Sequence, residues 1–370
     1  CLDLLNEQAL LADKARRKVD EPHRWFWTKN LLEQASDEWT ARETALDAPM
    51  TLARWLDVCC GAGVDSIAMA RRRPGCTGID RNPIALRLAQ ANSSMNQVQV
   101  DWSECEAETI ALDPDTYLHI DPDRRSEGLR TIDPFHSQPA WPWIADATRR
   151  CGAVSLKLAP GLRADEGFDW RDAHHPNAIR WLSWDGSVRQ QRWYWGLDRW
   201  PDGSRVASSG RRNQGWHHEV FPFSSIHAAG HAVNAVDEVS KLKSGWIGDQ
   251  DPVVRAASVG GCLAERLGVA CIGDRNGYYH SPEPVLHPML QWFRIIEVES
   301  MDSKKIRSIA NRLSARQWEL KSRGVDIDLT VMQRQLRVDS NSDQTLTILF
   351  TRIGKKHVAV FAHRIPKESV

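Results

Sequence analysis

An excess of charge of either sign is missing: 48 lysines and arginines balance 48 aspartates and glutamates. The global basic field of a dedicated nucleic-acid binder is therefore absent, although a local patch on one domain would suffice for RNA contact. Long apolar runs are missing too. None approaches the roughly 18 residues that a membrane span needs, so a soluble protein with no membrane partner is expected. The eight cysteines are scattered. Cys59 and Cys60 are adjacent, but no Cys-x-x-Cys pair repeats at zinc spacing. Reduced, mostly buried thiols in a cytoplasmic protein are the expectation. His174-His175 and His217-His218 lack metal-ligand spacing, so no metal is assigned. The first residue is Cys1, which points to a truncated or processed chain, and nothing near it has the basic, apolar, small-residue order of a secretory signal.

What is present is enough for two domains. At 370 residues, with 42% hydrophobic and 26% charged side chains, the chain is too long for one comfortable core. Tryptophan is abundant, at 17 residues, with groups at Trp25 and Trp27 and at Trp181, Trp184, Trp193, Trp195 and Trp200. A base-stacking surface is one reading of these groups. Core and strand aromatics are the plainer one, and the favoured one.

Residues 1–48 read as helices, with Leu31, Leu32, Ala35 and Trp39 at helical spacing, and Pro49 closes the segment. From Leu52 the pattern becomes strand, glycine turn and helix. Leu52–Cys60, Cys76–Ile79, Val98–Trp102, Tyr117–Ile120 and Val154–Leu158 are strand candidates, separated by helices at Ser66–Arg72, Pro83–Asn92 and Ile144–Arg150. Such alternation implies parallel strands joined by crossover helices. Ile179–Trp184 and Val188–Trp195, split by Asp185-Gly186, read instead as a hairpin. Residues 49–225 thus form a Rossmann-like α/β domain closed by an antiparallel hairpin. Asp198–Gly215 reads as a loop or hairpin near its boundary. A small α/β module occupies 245–370, with helices at Pro252–Leu267, Lys304–Leu313 and Leu329–Leu336. Its expected strands are Gln317–Lys321, Thr345–Arg352 and His357–His363.

The sharpest chemical signal is Leu56-Asp57-Val58-Cys59-Cys60-Gly61-Ala62-Gly63. Gly61 and Gly63 permit a tight turn and close approach of a ligand to backbone N–H groups. Asp57 at the strand end suits a cofactor carrying an ammonium group, such as S-adenosylmethionine, and would repel a pyrophosphate. Asp80, ending the second strand, is placed to accept ribose hydroxyls. Each aspartate alone could be a helix cap; together, on consecutive βα units, they point to cofactor binding. Glu104 and Glu106 both remain candidates for the adenine amine, with Glu104 taken as the first. A second segment, Asp121-Pro122-Asp123-Arg124-Arg125, closes a strand at the carboxyl edge of the sheet. Asp121 could accept from a substrate amine and orient its lone pair, and Arg124 could hold a phosphate or carboxylate. A solvated turn is the alternative. Lys157 either faces the same cleft or is an ordinary strand-end lysine.

With these residues in view, the chain resembles the bacterial class I S-adenosylmethionine-dependent methyltransferases that carry a C-terminal THUMP-like domain. The elements that carry the resemblance are Trp25-Phe26-Trp27-Thr28 with Leu32–Ser36, Asp57–Asp65, Asp121–Arg125, Ala159-Pro160-Gly161 and Lys321–Asp328. The first two blocks are also similar to trimethylguanosine synthase, an RNA-cap guanine methyltransferase. That likeness implies a helical segment enclosing the cofactor, with Gln34 and Ser36 in the lid; Cys59 in the glycine turn is taken as a further cofactor contact, and Asp121, Pro122 and Arg124 at the strand end as the catalytic group. The tail would present RNA, and the basic helix Lys304–Arg316 is either a phosphate contact or a solvated face. The resulting expectation is a methyltransferase acting on an RNA base amino nitrogen. A small-molecule or protein methyltransferase and a non-catalytic RNA-binding protein are its rivals. Amino-directed methyltransferases carry Asp- or Asn-Pro-Pro-aromatic at this strand end, whereas Asp121-Pro122 is followed here by Asp123-Arg124-Arg125 with no aromatic, and Val64 stands where a further glycine is common.

Overall fold

Alternating strands and helices build a twisted parallel sheet in the computed structural model, which describes residues 2–366 apart from 124, 127–128, 131–132, 164–172, 225–234 and 274–276. Two units separate, Cys1–Pro222 and Phe223–Val370.

In the first unit, three helices, α1 (Leu2–Ala15), α2 (Lys29–Gln34) and α3 (Glu38–Ala45), precede the sheet. Strands β1 (Arg54–Val58), β2 (Cys76–Asp80), β3 (Asp101–Glu104), β4 (Thr116–Ile120) and β5 (Ala153–Leu158) follow, interleaved with α4 (Val64–Arg72), α5 (Pro83–Met95) and α6 (Trp141–Arg150). The last four strands are β6 (Ala178–Trp184), β7 (Ser187–Trp195), β8 (Ser204–Arg211) and β9 (Gly215–Pro222). Their spatial order is β9-β8-β6-β7-β5-β4-β1-β2-β3. The five strands β3-β2-β1-β4-β5 are parallel, and β7 joins them antiparallel along β5. Asp185 and Gly186 both sit at positive φ, +47° and +74°, as a two-residue hairpin between right-twisted strands requires.

Residues 204–222 form a full hairpin. β8 runs parallel to β6, so the sheet extends two strands past the expected closing pair. The N-terminal helices join the same core: Trp25, Trp27 and Leu32 cluster with Trp55, Val64 and Ile67. Phe26 N–H donates to Asn92 Oδ1 at 2.6 Å, and Asn92 Nδ2 donates to the Ala62 carbonyl at 2.9 Å. The Trp25–Thr28 stretch is thereby tied to the glycine turn. The tryptophans are chiefly core residues. Trp27, Trp55, Trp181 and Trp193 are among the most buried side chains, and Trp25 stacks on Trp27, as Trp39 does on Trp184.

The second unit holds an eight-stranded sheet. Its strands are β10 (Ala235–Val236), β11 (Trp246–Gln250), β12 (Ala270–Ile272), β13 (Tyr278–Ser281), β14 (Leu290–Ser300), β15 (Gln317–Ser322), β16 (Thr345–Ile353) and β17 (Lys356–Arg364). They lie in the order β10-β12-β13-β11-β14-β17-β16-β15. The expected single helix Pro252–Leu267 is two, α7 (Pro252–Ala256) and α8 (Gly260–Leu267), because Ser258 adopts a left-handed φ of +57° and stops the first. Strands β11 to β14 lie in a stretch where only that helix had been read. Helices α9 (Ser303–Leu313) and α10 (Leu329–Gln335) pack on one face of the sheet through Ile306, Ile309 and Met332 against Trp318, Ile348 and Phe361.

Candidate active site

The carboxyl ends of β1, β2, β3 and β4 open into a cavity of about 340 Å³. Its floor is the turn between β1 and α4. Cys59 and Gly61 take positive φ, +62° and +55°, and Gly63 caps α4 at +85°. Asp80 fastens this turn from the neighbouring strand: its Oδ2 accepts Gly61 N–H at 2.9 Å and its Oδ1 accepts Asn82 N–H at 2.9 Å. Asn82 then caps α5, accepting from Ile84 N–H at 3.0 Å. One carboxylate thus joins two successive βα turns, and the second lone pair on each oxygen is left for a ligand.

The N-terminal segment supplies the opposite wall. Leu31 and Glu33 to Ser36 line the cavity. Lys18 Nζ donates to the carbonyls of Glu33 and Ala35, at 3.1 and 2.6 Å, and so holds the α2–α3 turn in place. Burial and the nearby Lys157 charge push the Lys18 ammonium down to about 8. At the far end, Cys105 to Glu108 close the pocket.

Behind the wall lies a buried polar chain. Lys157 Nζ donates to Ser36 Oγ and to Asp121 Oδ2, both at 2.6 Å. Ser36 Oγ donates in turn to Asp65, whose other oxygen takes Arg192 Nη2 at 2.8 Å. Arg192 Nη1 lies 3.1 Å from His119 Nδ1. Although burial opposes it, the Lys157, Arg192 and Ser36 contacts hold the Asp65 carboxyl below the usual carboxylate range, so it is ionised. Burial and Arg192 push His119 down to about 3, so its ring is neutral. Burial raises the Cys59 thiol as well, which leaves it neutral rather than nucleophilic.

Of the residues singled out from sequence, Gln34, Ser36, Cys59, Gly61, Asp80, Asp121 and Pro122 line the cavity. Asp57 does not. It is 0% exposed beneath the turn and accepts from Ser66 Oγ at 2.5 Å, and burial together with the Asp65 charge holds its carboxyl well above the usual range. The acid that does reach the wall is Asp65, one turn into α4. Gly63 also lies off the wall. A Cβ there would meet Trp102 at 2.9 Å and Ala89 at 3.0 Å, so this glycine serves packing and the left-handed cap. Glu104 is still in register with Asp80 inside the sheet, and the wall begins only past the strand end, where Glu106 lines it. Arg124 lies outside the described residues. Lys157, read two ways from sequence, does not line the cavity: it is buried behind the wall and meets it through its pairs with Asp121 and Ser36. Asp65 and Arg192 carried no signal of their own: their contact spans 127 positions.

In the basic helix, Lys305 pairs with Glu299 at 3.0 Å and Arg312 with Glu297. Two of the five basic residues of Lys304–Arg316 are thus balanced by acids of β14. The seven described cysteines are free thiols. Among the described residues, no helix is long and apolar enough to cross a membrane.

Residues 56–120 match the family model for a methyltransferase domain, and residues 290–364 match that for a THUMP domain-like region. A methyltransferase domain followed by a THUMP domain-like region marks the chain as an S-adenosylmethionine-dependent methyltransferase. An uncharacterized S-adenosylmethionine-dependent methyltransferase of Mycobacterium tuberculosis is 27% identical over 97% of this chain and 96% of its own. A ubiquinone biosynthesis O-methyltransferase of Pseudomonas entomophila is 34% identical, but only over 24% of this chain and 39% of its own. A crystal structure from Porphyromonas gingivalis, assigned by its description to the methyltransferases, has a TM-score of 0.76 at 15% identity. It covers 98% of this chain and 90% of that one, and shows the fold. None of these matches carries the likeness to trimethylguanosine synthase.

The cavity of this methyltransferase fits its cofactor electrostatically. Seven carboxylates line it among the described residues against one cation, Arg81, which itself sits 3.8 Å from Glu106. Such a wall repels a pyrophosphate and accommodates a molecule bearing an ammonium, a sulfonium, ribose hydroxyls and an aminopurine.

Proposed function

We propose that this methyltransferase modifies an amino nitrogen of an RNA base. The reading rests chiefly on Asp121. It follows the central strand β4, lines the cavity, and has one oxygen held by Lys157 while Oδ1 has no hydrogen-bond partner among the described residues. A carboxylate fixed at one oxygen offers the other as a directed acceptor, which orients an amine N–H and with it the nitrogen lone pair. The THUMP-like region supports an RNA substrate over a small molecule or a protein.

For the cofactor, Asp65 and Ser36 lie at the end suited to the ammonium, Asp80 at the ribose and Glu106 at the adenine amine. S-adenosylmethionine supplies an activated methyl group on a sulfonium. The chain supplies alignment: Asp121 Oδ1 accepts the substrate N–H and takes the proton that the nitrogen sheds once methylated. Lys157 keeps Asp121 from swinging, and the α2–α3 turn excludes water from the cofactor side.

The test is transfer of labelled methyl groups from the cofactor to separated cellular RNA, protein and metabolite pools. Label is expected in RNA, recovered as an N-methylated base by mass spectrometry, and lost about 10²-fold or more in Asp121→Ala. Label confined to protein or metabolites sinks the RNA reading. Cofactor binding with no transfer to any pool sinks catalysis itself.

A further inference from the structure

Away from the cofactor cavity, the second unit gathers an unusual set of cations on the sheet face opposite α9 and α10. Side-chain alternation sets the face. Trp318, Ile348 and Phe361 point to the helices, so Glu319 and Lys321 on β15 and Arg364 on β17 point away from them. Phe293 is the register partner of Arg364 and of Ile247, which places Asp249, two residues past Ile247, on that same face. The sheet curls enough to bring its edge strand over its centre. Lys321 Nζ and the Arg364 guanidinium lie 6.0 and 5.8 Å from the Phe293 ring, and Arg323 lies 5.7 Å from the Tyr278 ring.

At the centre is Asp249, 7% exposed. It takes Lys321 Nζ at 3.0 Å and Arg323 Nη2 at 3.3 Å, with Arg255 Nη1 at 4.0 Å. Glu319 meets Lys321 at 3.5 Å and Arg364 at 3.9 Å. Four cations therefore share two carboxylates; counting Asp251, whose charge Arg255 also feels from the α7 cap, they share three. Hydrogen-bond donors are in surplus as well. Arg323 Nε and the Tyr278 hydroxyl are buried with no acceptor among the described residues. Burial, and after it the adjacent Arg323 charge, push the Arg255 guanidinium down. Arg364 stays half exposed, and Lys321, Arg323 and Arg255 are each about a quarter exposed, so the cluster can be reached from solvent.

We propose that Arg255, Lys321, Arg323 and Arg364 form a phosphoryl-group site, filled by a backbone phosphate of the RNA substrate. The proposal rests on the RNA reading for its ligand's source, but not for the ligand's chemistry. A phosphate supplies the missing negative charge and several acceptor oxygens at once, and arginine forks and a lysine beside a shared carboxylate are the groups that hold it. The site also gives the Lys321-Ser322-Arg323 segment of the sequence a role.

The test uses the full chain and two probes, a fluorescently labelled single-stranded RNA followed by anisotropy and inorganic phosphate followed by calorimetry. Arg364→Gln leaves Asp249 fully paired and is expected to fold as the wild type does. It should weaken RNA binding severalfold and lower the slope of log K against log salt by about one. Arg364→Lys should restore most of the affinity, and the double variant Lys321→Gln/Arg364→Gln should lose about tenfold or more. Binding of S-adenosylhomocysteine should be unchanged throughout. RNA affinity equal in all variants overturns the site and leaves the substrate reading standing. If RNA fails to bind while phosphate binds the wild type and is lost in the variants, the site stands and the RNA reading falls. A wild type that takes up neither probe overturns the proposal.

Discussion

Replacing Asp80 separates its two roles. Its oxygens accept Gly61 N–H and Asn82 N–H, both at 2.9 Å, so the carboxylate closes the floor of the cavity even without a ligand. In Asp80→Asn one oxygen becomes an NH₂ group that must face a backbone N–H. One charge-assisted bond is lost and replaced by a donor–donor contact. A hydrogen bond to a charged group contributes about 1.5–3 kcal/mol, so chemical denaturation without ligand should show a loss within that range. Binding loses more. If the spare lone pairs hold ribose hydroxyls, Asp80→Ala removes charge-assisted contacts to the ligand, each equivalent to roughly 10- to 150-fold in Kd. Calorimetric titration with S-adenosylhomocysteine should show an affinity at least about 10²-fold weaker. A stability loss with unchanged Kd would refute the ribose assignment and leave Asp80 as a cap. An unchanged Kd and unchanged stability would refute the geometry as well.

Lys157→Met should lower kcat by about 10²-fold and weaken S-adenosylhomocysteine binding by a smaller factor, because it frees Asp121 outright but reaches the cofactor wall only through Ser36; equal losses in both would place Lys157 in cofactor binding instead. Gly78→Ala should be strongly destabilising, since its Cβ would sit 2.2 Å from Trp102 Cζ3 and 2.9 Å from Ser66 Oγ. A cost of about 1–3 kcal/mol, seen as a Tm lower by several degrees, is expected, and an unchanged Tm would contradict the packing. His218 is pushed down to about 3 by burial and by Arg180 and Arg199. The unfolded chain therefore takes up this proton first, and the stability it contributes, complete above about pH 6.5, is lost as pH falls toward 3. Denaturation of wild type against His218→Gln between pH 7 and pH 5 should show the difference shrinking toward acid by up to about 1.4 kcal/mol per pH unit; parallel curves would rule this out.

Local chemistry made much of this legible in the sequence. The Gly61-Ala62-Gly63 turn, Asp80 at a strand end, Asn82-Pro83 opening a helix and Asp185-Gly186 between strands each act within a few residues, and each is where the residue types indicate. What resisted reading depends on direction or on distance. Asp57 and Asp65 are both acids near the same turn, but strand geometry sends Asp57 beneath it while the first turn of α4 brings Asp65 to the wall. Glu104 and Glu106 differ only in which side of the strand end they occupy. Ser258 breaks a helix through a left-handed φ that serine adopts without advertising it. The hairpin at 204–222 was open to either reading, because its residues Arg205, Ser208 and Ser209 are buried among partners supplied by the rest of the sheet.

The same distance argument explains why polar residues sit in the most buried strands. His119, Ser155 and Lys157 would be costly in the centre of a parallel sheet if left unpaired. Each is held by the chain that runs from Arg192 through Asp65 and Ser36 to Lys157 and Asp121. That chain crosses from the closing hairpin to the N-terminal turn, so the position of Asp121 depends on Ser36, and Ser36 is placed by a turn that Lys18 clamps from a third segment. The N-terminal helices are therefore part of the cavity's framework rather than an appendage. They fix one wall of the cavity and the Asp121 carboxylate through one connected set of hydrogen bonds, and a change at either end should be felt at the other.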